Sequence, residues 1–411
     1  MGSRSPRVLL LEGDNLNSLP IAKELSEDLD AEIIGSGTTP YSRLRRSKYC
    51  DVGVELPTAG TPLYDERLLD LIERTKPEMV VPVGYESMAA VERLQTDVPS
   101  RVSLCLPSSE AFHTAVDKEA TLRCGGRLGF DTPTDYSKLV AEFDVDNRRG
   151  ALLEALSFPV FLKARLETGG AVTGRVDDPS EFWQRYDRIA DNAPERSVLV
   201  QECINPKGST YGCGLFLNDN DVELLFSHEE LRSVPRHGGS GTHLRIIRNP
   251  HLEAKSIQLL QEIGWNGIAL VEYKRRADGT FVLMEINPKF WASYALASSF
   301  GYRFASMMVA TVLNLAVDHP IGSPSPVGEM VFPLRELHQY IQNRNDESLV
   351  DCLSVAMKPC VARDFDFTDF RAWLVPPVEI VQKLPRTLER DQGRSDLGTP
   401  SKDDTTNISE Q

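Results

Sequence analysis

The sequence predicts an α/β chain in two parts, an N-terminal doubly wound parallel sheet followed by an α+β unit built largely of antiparallel strands. Three observations carry this reading. Short apolar runs alternate with amphipathic helical stretches over residues 6–107, the texture of strands covered on both faces. From Pro107 to about Leu315, glycine-rich loops and hairpin signals take over. At 411 residues the chain exceeds one ordinary domain, and 41% hydrophobic residues suffice for a sizeable core.

The elements follow in order. Arg7–Gly13 (RVLLLEG) reads as a first strand, and Asp14 and Asn15 lead into a helix that presents Ala22, Leu25 and Leu29 on one face. AEIIGSG is a second strand, LLDLIERTKPE a helix stopped by Pro77, MVVPVG a third strand and RVSLCLP a fourth. The first loop, E-G-D-N-L-N, lacks G-x-G-x-x-G, and Gly35 and Gly37 have no third glycine, which speaks against a nicotinamide site. Ser108 or Ser109 caps a helix through AFHTAVDKEATLRCGG, which opens the α+β unit. Residues 316–385 add a proline-rich connection, a helix around Leu334–Asn343 and an apolar helix near Val378–Leu384. Arg386–Gln411 has three large aliphatics and no aromatics, so a disordered tail is expected.

Composition narrows the functions. Forty-five basic against 60 acidic residues give a net charge of -15, a field that repels phosphate backbones and anionic lipid. General nucleic-acid and membrane-surface binding are therefore not expected, while a local basic pocket remains compatible. No apolar run reaches the ~20 residues of a membrane span, and MGSRSPRVLLLEGDN lacks the marks of a signal peptide, so a soluble cytoplasmic protein is expected. The 7 cysteines are scattered without C-x-x-C, which argues for reduced thiols rather than a disulfide framework or zinc knuckle. The acidic balance, with 13 Lys against 32 Arg, suits a salt-adapted or GC-rich organism.

The most informative segment is GIALVEYKRRADGTFVLMEINPKF. Asp278-Gly279 signals a two-residue hairpin loop with Ala277 facing Thr280. That register sets Glu272 opposite Glu285 with Cβ atoms about 5 Å apart, and turns Val271, Met284 and Ile286 to the other face. Like charges so placed call for a cation, and a divalent ion on Glu272, Glu285 and the Asn287 side-chain oxygen would supply it. The alternative is a solvated hairpin face. In FPVFLKARLETGGAVTGRV a strand delivers Lys163 ahead of a loop with Gly169, Gly170 and Gly174, the ingredients of a phosphate cradle without a Walker motif. Taken alone, Lys163 also fits a snorkelling strand-end lysine. In SVLVQECINPKGSTYG, Glu202 ends a strand and the backbone after it is free to pair with a base; a plain surface glutamate is the other option.

In this order, Asp117-Lys118, GFDTPTDY, FLKARLETGG, VQECI, VEYK and MEINPKFW resemble the ATP-grasp superfamily of ADP-forming ligases. The resemblance is to its carbamoyl-phosphate-synthase-like carboxylate-amine ligase branch, and covers roughly residues 6–315. It implies an α/β domain at 6–107 preceding an ATP-grasp module of two lobes at 108–315, a small appendage at 316–385 and the tail at 386–411. It implies that Lys118 and Lys163 contact ATP phosphates under a flap containing Gly169 and Gly170, and that Glu202 and the backbone of Cys203 and Ile204 read adenine. Glu272, Glu285 and Asn287 would hold Mg2+. Lys289 stands where the family usually has arginine, which keeps the charge and loses the planar two-donor fork. HEELRSVPRHGGSGTHLRIIRNP offers Arg232, Arg236, His237, His243 and Arg245 as cations for an anionic acceptor, with Arg245 and Lys289 facing the acyl-phosphate. A mobile polar loop is the plain alternative, and the spacing of His228, His237 and His243 matches no standard zinc pattern.

The resemblance implies an ATP- and magnesium-dependent ligase joining a small-molecule carboxylate to an amine through an acyl-phosphate. A nucleotide-binding regulatory or scaffold protein is the rival, with Lys289 as its support, and a carboxylate kinase with no amine step is the third option. Substrate identity and oligomeric state are not legible, a homodimer being one option.

Overall fold

The computed structural model describes residues 5–145, 149–168, 172–204, 208–234, 240–317, 319–333, 335–336, 354–358 and 361–373. The helix expected near Val378–Leu384 and the tail from Arg386 lie outside the described residues, and of the helix expected at Leu334–Asn343 only Arg335 and Glu336 are described.

Strands β1 (Arg7–Leu10), β2 (Glu32–Gly37), β3 (Val52–Glu55) and β4 (Met79–Val81) form a parallel sheet in the order β3-β2-β1-β4. Alternation along β1 and β2 assigns the faces. Val8, Leu10 and Ile33 pack under Ile21, Ala22 and Leu25 of helix α1 (Ser18–Leu29). Leu9, Ile34 and Val80 turn the other way, against helix α3 (Tyr64–Thr75), which follows the one-turn α2 (Arg43–Arg46), and against α4 (Tyr85–Leu94). One strand differs from expectation. RVSLCLP makes a single bridge, Ser103 with Met79, and the fourth strand is β3, whose mostly exposed V-G-V-E carries no apolar run because it lies at the sheet edge.

The helix expected through AFHTAVDKEATLRCGG is two. Ser108 caps α5 (Ser109–Val116); Asp117 then leaves helical geometry (φ -91°, ψ 103°) and its carboxylate accepts from Glu119 N and Ala120 N, starting α6 (Lys118–Arg127). The break sets Lys118 in the first turn of α6.

Two further sheets follow. Helices α7 (Ser137–Val145) and α8 (Arg149–Ala155) precede the antiparallel sheet β6-β5-β7, made of β5 (Val160–Ala164), β6 (Thr173–Val176) and β7 (Val198–Glu202), with α9 (Phe182–Asn192) between the last two. Val160, Leu162 and Val200 pack against Phe182 and Ile189 of α9, leaving Phe161 and Lys163 on the opposite face. The larger sheet runs β12-β11-β8-β9-β10-β13-β14. It comprises β8 (Thr210–Asn218), β9 (Asp221–Val234), β10 (Ser240–Ile246), β11 (Gly267–Arg275), β12 (Phe281–Asn287), β13 (Glu329–Val331) and β14 (Val361–Arg363), with α10 (Pro250–Glu262) inserted before β11. Among the described residues no helix is long and apolar enough to cross a membrane.

The N-terminal sheet is fixed to the rest through α1, which packs on α11 (Tyr294–Ser299) and α12 (Phe304–Val312). Glu24 is fully buried in this contact, where the Tyr294 hydroxyl (2.8 Å) and Ala305 N (3.2 Å) donate to its carboxylate. Burial pushes its pKa up to about 7, against hydrogen bonds from Ser298 and Tyr294 that favour the ionised form. A carboxyl raised on folding contributes stability that is complete below its unfolded value near 4.5 and is lost as pH rises through 7. Urea unfolding at pH 5 and pH 8 should therefore show wild type losing up to about 3 kcal/mol more than Glu24→Gln over that interval. Equal losses in the two proteins would refute the assignment.

Candidate functional site

The uncovered face of β5 and β6 looks across a cleft at one face of the larger sheet. Phe161, Lys163 and Thr173 line one side, Leu270, Glu272 and Lys274 the other, and the C-terminal ends of β1 and β4 close the third with Glu12, Asn17 and Tyr85. The cavity measures about 460 Å³. Glycines make room for its floor: a Cβ on Gly214 of β8 would stand 2.4 Å from the Trp291 ring.

Glu272 and Glu285 are direct cross-strand partners, and both line the cleft. The path to that register differs from the two-residue loop expected. Arg276 N donates to Thr280 O (2.8 Å), so the loop is Ala277, Asp278 and Gly279, with Gly279 at φ +95°. The strand tips then pair one residue out of the expected register, Arg275 with Phe281 and Tyr273 with Leu283. A bulge at Met284 restores it before Glu285. Met284 accordingly lines the cleft instead of sharing the far face with Val271 and Ile286, which lie in the core beneath. Burial and then the adjacent Glu285 push the Glu272 carboxyl up to about 7. Asn287 Nδ2 donates to Glu272 Oε2 (3.0 Å), leaving the Asn287 amide oxygen as a donor atom for a cation. Two carboxylates and an amide oxygen on one face, short of charge compensation between themselves, fit Mg2+ shared with substrate phosphates. Among the described residues no group of three or more His, Cys, Asp or Glu surrounds a metal position.

Three lysines line the same cleft, and two of them face this pair. Lys163 is buried to 3% exposure at the end of β5, donates to Met284 O (3.2 Å) and stands 3.8 Å from Glu285 Oε2. Burial pulls its pKa down, with Glu285 offsetting only part. Lys118 is 3.8 Å from Glu285 and 3.1 Å from Glu167, and these carboxylates outweigh burial to hold its pKa above the usual lysine value. Lys289 donates to the other Glu167 oxygen (2.9 Å). Burial would raise Glu167, but the two ammonium groups bring it down to about 2. Glu167, just beyond FLKAR, is a site residue that spacing alone does not single out. Lys274 was legible, two residues from Glu272 on the same strand face, and donates to Thr210 Oγ1 (3.3 Å). Arg335 and Glu12 reach the cleft from distant segments and carry no local signal.

Other expected residues stand elsewhere. Arg245 does not face Lys289: on β10 it alternates with Leu244 and Ile246 of the core, so it lies on the opposite face of the sheet, paired with Glu229 (2.6 Å). Arg232 pairs with Glu336 and His243 with Glu329, so the described members of the HEELR segment form no shared cation cluster. Arg236 and His237, like Gly169 and Gly170 of the flap, lie outside the described residues. His228 is buried against Phe226, its pKa lowered to about 3 by burial. Glu202, Cys203 and Ile204 are not among the residues lining the cleft: Glu202 is clamped by Arg276 and by Thr134 N (2.8 Å), Ile204 is buried, and Cys203 N donates to Pro159 O (3.3 Å), so this amide, expected to be free, is not.

Residues 131–319 match the family described as carbamoyl-phosphate synthase L chain, ATP binding domain. The carbamoyl phosphate synthase large chain of Campylobacter jejuni is 22% identical over 314 residues, 72% of this chain and 27% of that protein. Its counterpart from Gemmatimonas aurantiaca is also 22% identical, over 68% of this chain and 26% of its own. The chain thus spans about a quarter of these relatives. Among solved structures, biotin carboxylase from Campylobacter jejuni in complex with β-γ-ATP superposes with a TM-score of 0.61 at 14% identity, covering 79% of this chain and 74% of that one. The biotin carboxylase domain of 2-oxoglutarate carboxylase from Hydrogenobacter thermophilus, in complex with MgADP, ADP and bicarbonate, gives 0.61 at 15% identity over 79% and 73%.

Lys163 separates a structural from a ligand-binding role. The desolvation cost of the buried Lys163 ammonium opposes its attraction to Glu285 at 3.8 Å, so Lys163→Met should shift the thermal melt far less than it shifts nucleotide binding. Its affinity for ATP, measured by calorimetry, should fall by roughly 1.5–3 kcal/mol, the scale of a charge-assisted hydrogen bond. Unchanged affinity would remove Lys163 from the nucleotide site.

Proposed function

The chain belongs to the ATP-grasp superfamily, and from that premise we propose that it is an ATP-dependent ligase that activates a small-molecule carboxylate as an acyl-phosphate and passes the acyl group to an amine. The observation that carries this reading is the meeting of Glu272, Glu285 and Asn287 with Lys118, Lys163 and Lys289 in one cleft between two lobes. A carboxylate is a poor electrophile, because resonance and charge repel an amine. Transfer of the γ-phosphoryl group forms a new bond from the carboxylate oxygen to phosphorus while the bond to ADP breaks. The amine then attacks the acyl carbon, phosphate leaves, and the amine proton passes to solvent.

This chemistry needs positioning and charge neutralisation more than a protein nucleophile. Lys163, from β5 of the smaller lobe, and Lys118, from the first turn of α6, serve the phosphates. Glu272, Glu285 and Asn287 would hold Mg2+, which when bound neutralises charge on the β- and γ-phosphates. Lys289, aligned by Glu167, faces the transferring group and stabilises the charge that moves. The Glu202–Arg276 clamp supports the strand end at which Cys203 and Ile204 would meet adenine, with Gly169 and Gly170 in the flap above. Arg245 has no part in this mechanism.

ADP release screened over carboxylates, bicarbonate included, with and without amines should require magnesium and a carboxylate, and give an amide only when an amine is present. Glu285→Gln should abolish turnover with an unchanged circular dichroism spectrum. Lys289→Arg should retain or raise activity by restoring the planar fork, whereas Lys289→Ala should lose it. ATP binding with no ADP release under any condition would instead support a nucleotide-binding regulatory protein.

A further inference from the structure

A second cavity of about 530 Å³ lies behind the cleft, between α1, α11 and the segment at residues 361–373. Leu16, Asn17 and Arg335 line both cavities, so they form the partition. Most charges around the second cavity are compensated. Lys23 pairs with Asp366 (3.0 Å), Arg303 faces Glu27 (3.7 Å), Asp369 accepts from Ser47 and from Lys48 N, and Arg363 is exposed to solvent.

Two have no direct ionic partner. Arg335 is half-buried, donates to the carbonyls of Gly241 (3.2 Å) and Ala292 (2.7 Å), and lies over the Phe332 ring; Asp364 and Glu230 act on it from a distance, with no carboxylate within 4 Å among the described residues. Asp364 lines the same cavity with no cation within that distance, and its Oδ1 is buried without a hydrogen-bond partner. Burial lowers the pKa of Arg335 and raises that of Asp364 to about 6, each charge only partly offsetting the other. A guanidinium and a carboxylate that line one cavity without touching are complementary to a ligand carrying a carboxylate and an ammonium. Phe365, its ring tilted against Trp373 at 4.9 Å between centroids, adds an aromatic wall.

We propose that this second cavity binds a free amino acid as its zwitterion, with the carboxylate on Arg335, the ammonium on Asp364 and the side chain against Phe365 and Trp373. Its service as the amine partner, handed across the partition to the cleft, rests on the ligase reading; the binding itself does not. Calorimetry on the full chain without nucleotide tests it, with L-phenylalanine, phenethylamine and 3-phenylpropionate as probes. Phenylalanine should bind roughly tenfold or more tightly than either singly charged analogue. Asp364→Asn should weaken phenylalanine by a similar factor and leave 3-phenylpropionate and ATP unchanged. No phenylalanine binding, equal affinity for the three probes, or an Asp364→Asn protein that binds phenylalanine like wild type would overturn the proposal. The probe comparison on wild type holds even if the variant does not fold. Phenylalanine that binds as expected but never raises ADP release counts against the ligase reading and leaves the zwitterion site standing.

Discussion

Two glutamates set directly opposite each other on neighbouring strands repel, and the cleft is organised around that repulsion. Glu272 and Glu285 belong to one sheet, while the lysines that offset them come from two directions: Lys163 from β5 of the other lobe, and Lys118 from the first turn of α6, which packs on the glutamates' own sheet. The balance is incomplete by construction, since Lys163 is itself depressed by burial and Lys118 is shared with Glu167. What is left is a site with both signs of charge in close quarters and room for a cation and phosphates between them. The same arrangement couples the lobes: Lys163 reaches across to the Met284 carbonyl, so hinge motion between the two sheets would alter the electrostatics of the glutamate pair.

Much of this was legible in the sequence, and the legible part is local. The hairpin signal at Asp278-Gly279 sets Glu272 opposite Glu285, a pairing that holds because the extra turn residue and the bulge at Met284 cancel, and Lys163 follows from a strand ending at a glycine loop. The parallel strands at RVLLLEG, AEIIGSG and MVVPVG are apolar runs of strand length. Where local signals are weak or misleading, the reading fails for identifiable reasons. The edge strand Val52–Glu55 has no buried face to advertise it.

Arg245 shows the limit of counting charges along a chain. Five cations in a short stretch suggested one pocket, yet a strand sends alternate residues to opposite faces, and Arg245 is spent on Glu229 behind the sheet. The cations and acids that do line the cleft alongside the expected ones, Arg335, Lys274, Glu167 and Glu12, come from four separate segments. Their meeting is a property of the topology, with β13 laid beside β10 and the N-terminal strands docked by α1, and no window along the sequence contains it.

The bulge at Met284 has a consequence for how this hairpin can change over generations. A three-residue turn and a one-residue bulge cancel, so the strand base holding Glu272, Glu285 and Asn287 keeps its register while the tip runs one step out of phase. The bulge works as an expansion joint. Loss of one residue from the tip could be absorbed by smoothing the bulge, whereas in a regular ladder the same deletion would turn every side chain of one strand to the wrong face. Homologous hairpins of different tip length can therefore present the same carboxylate pair, and aligning such sequences from the turn outward would misplace the counterpart of Glu285 by one position.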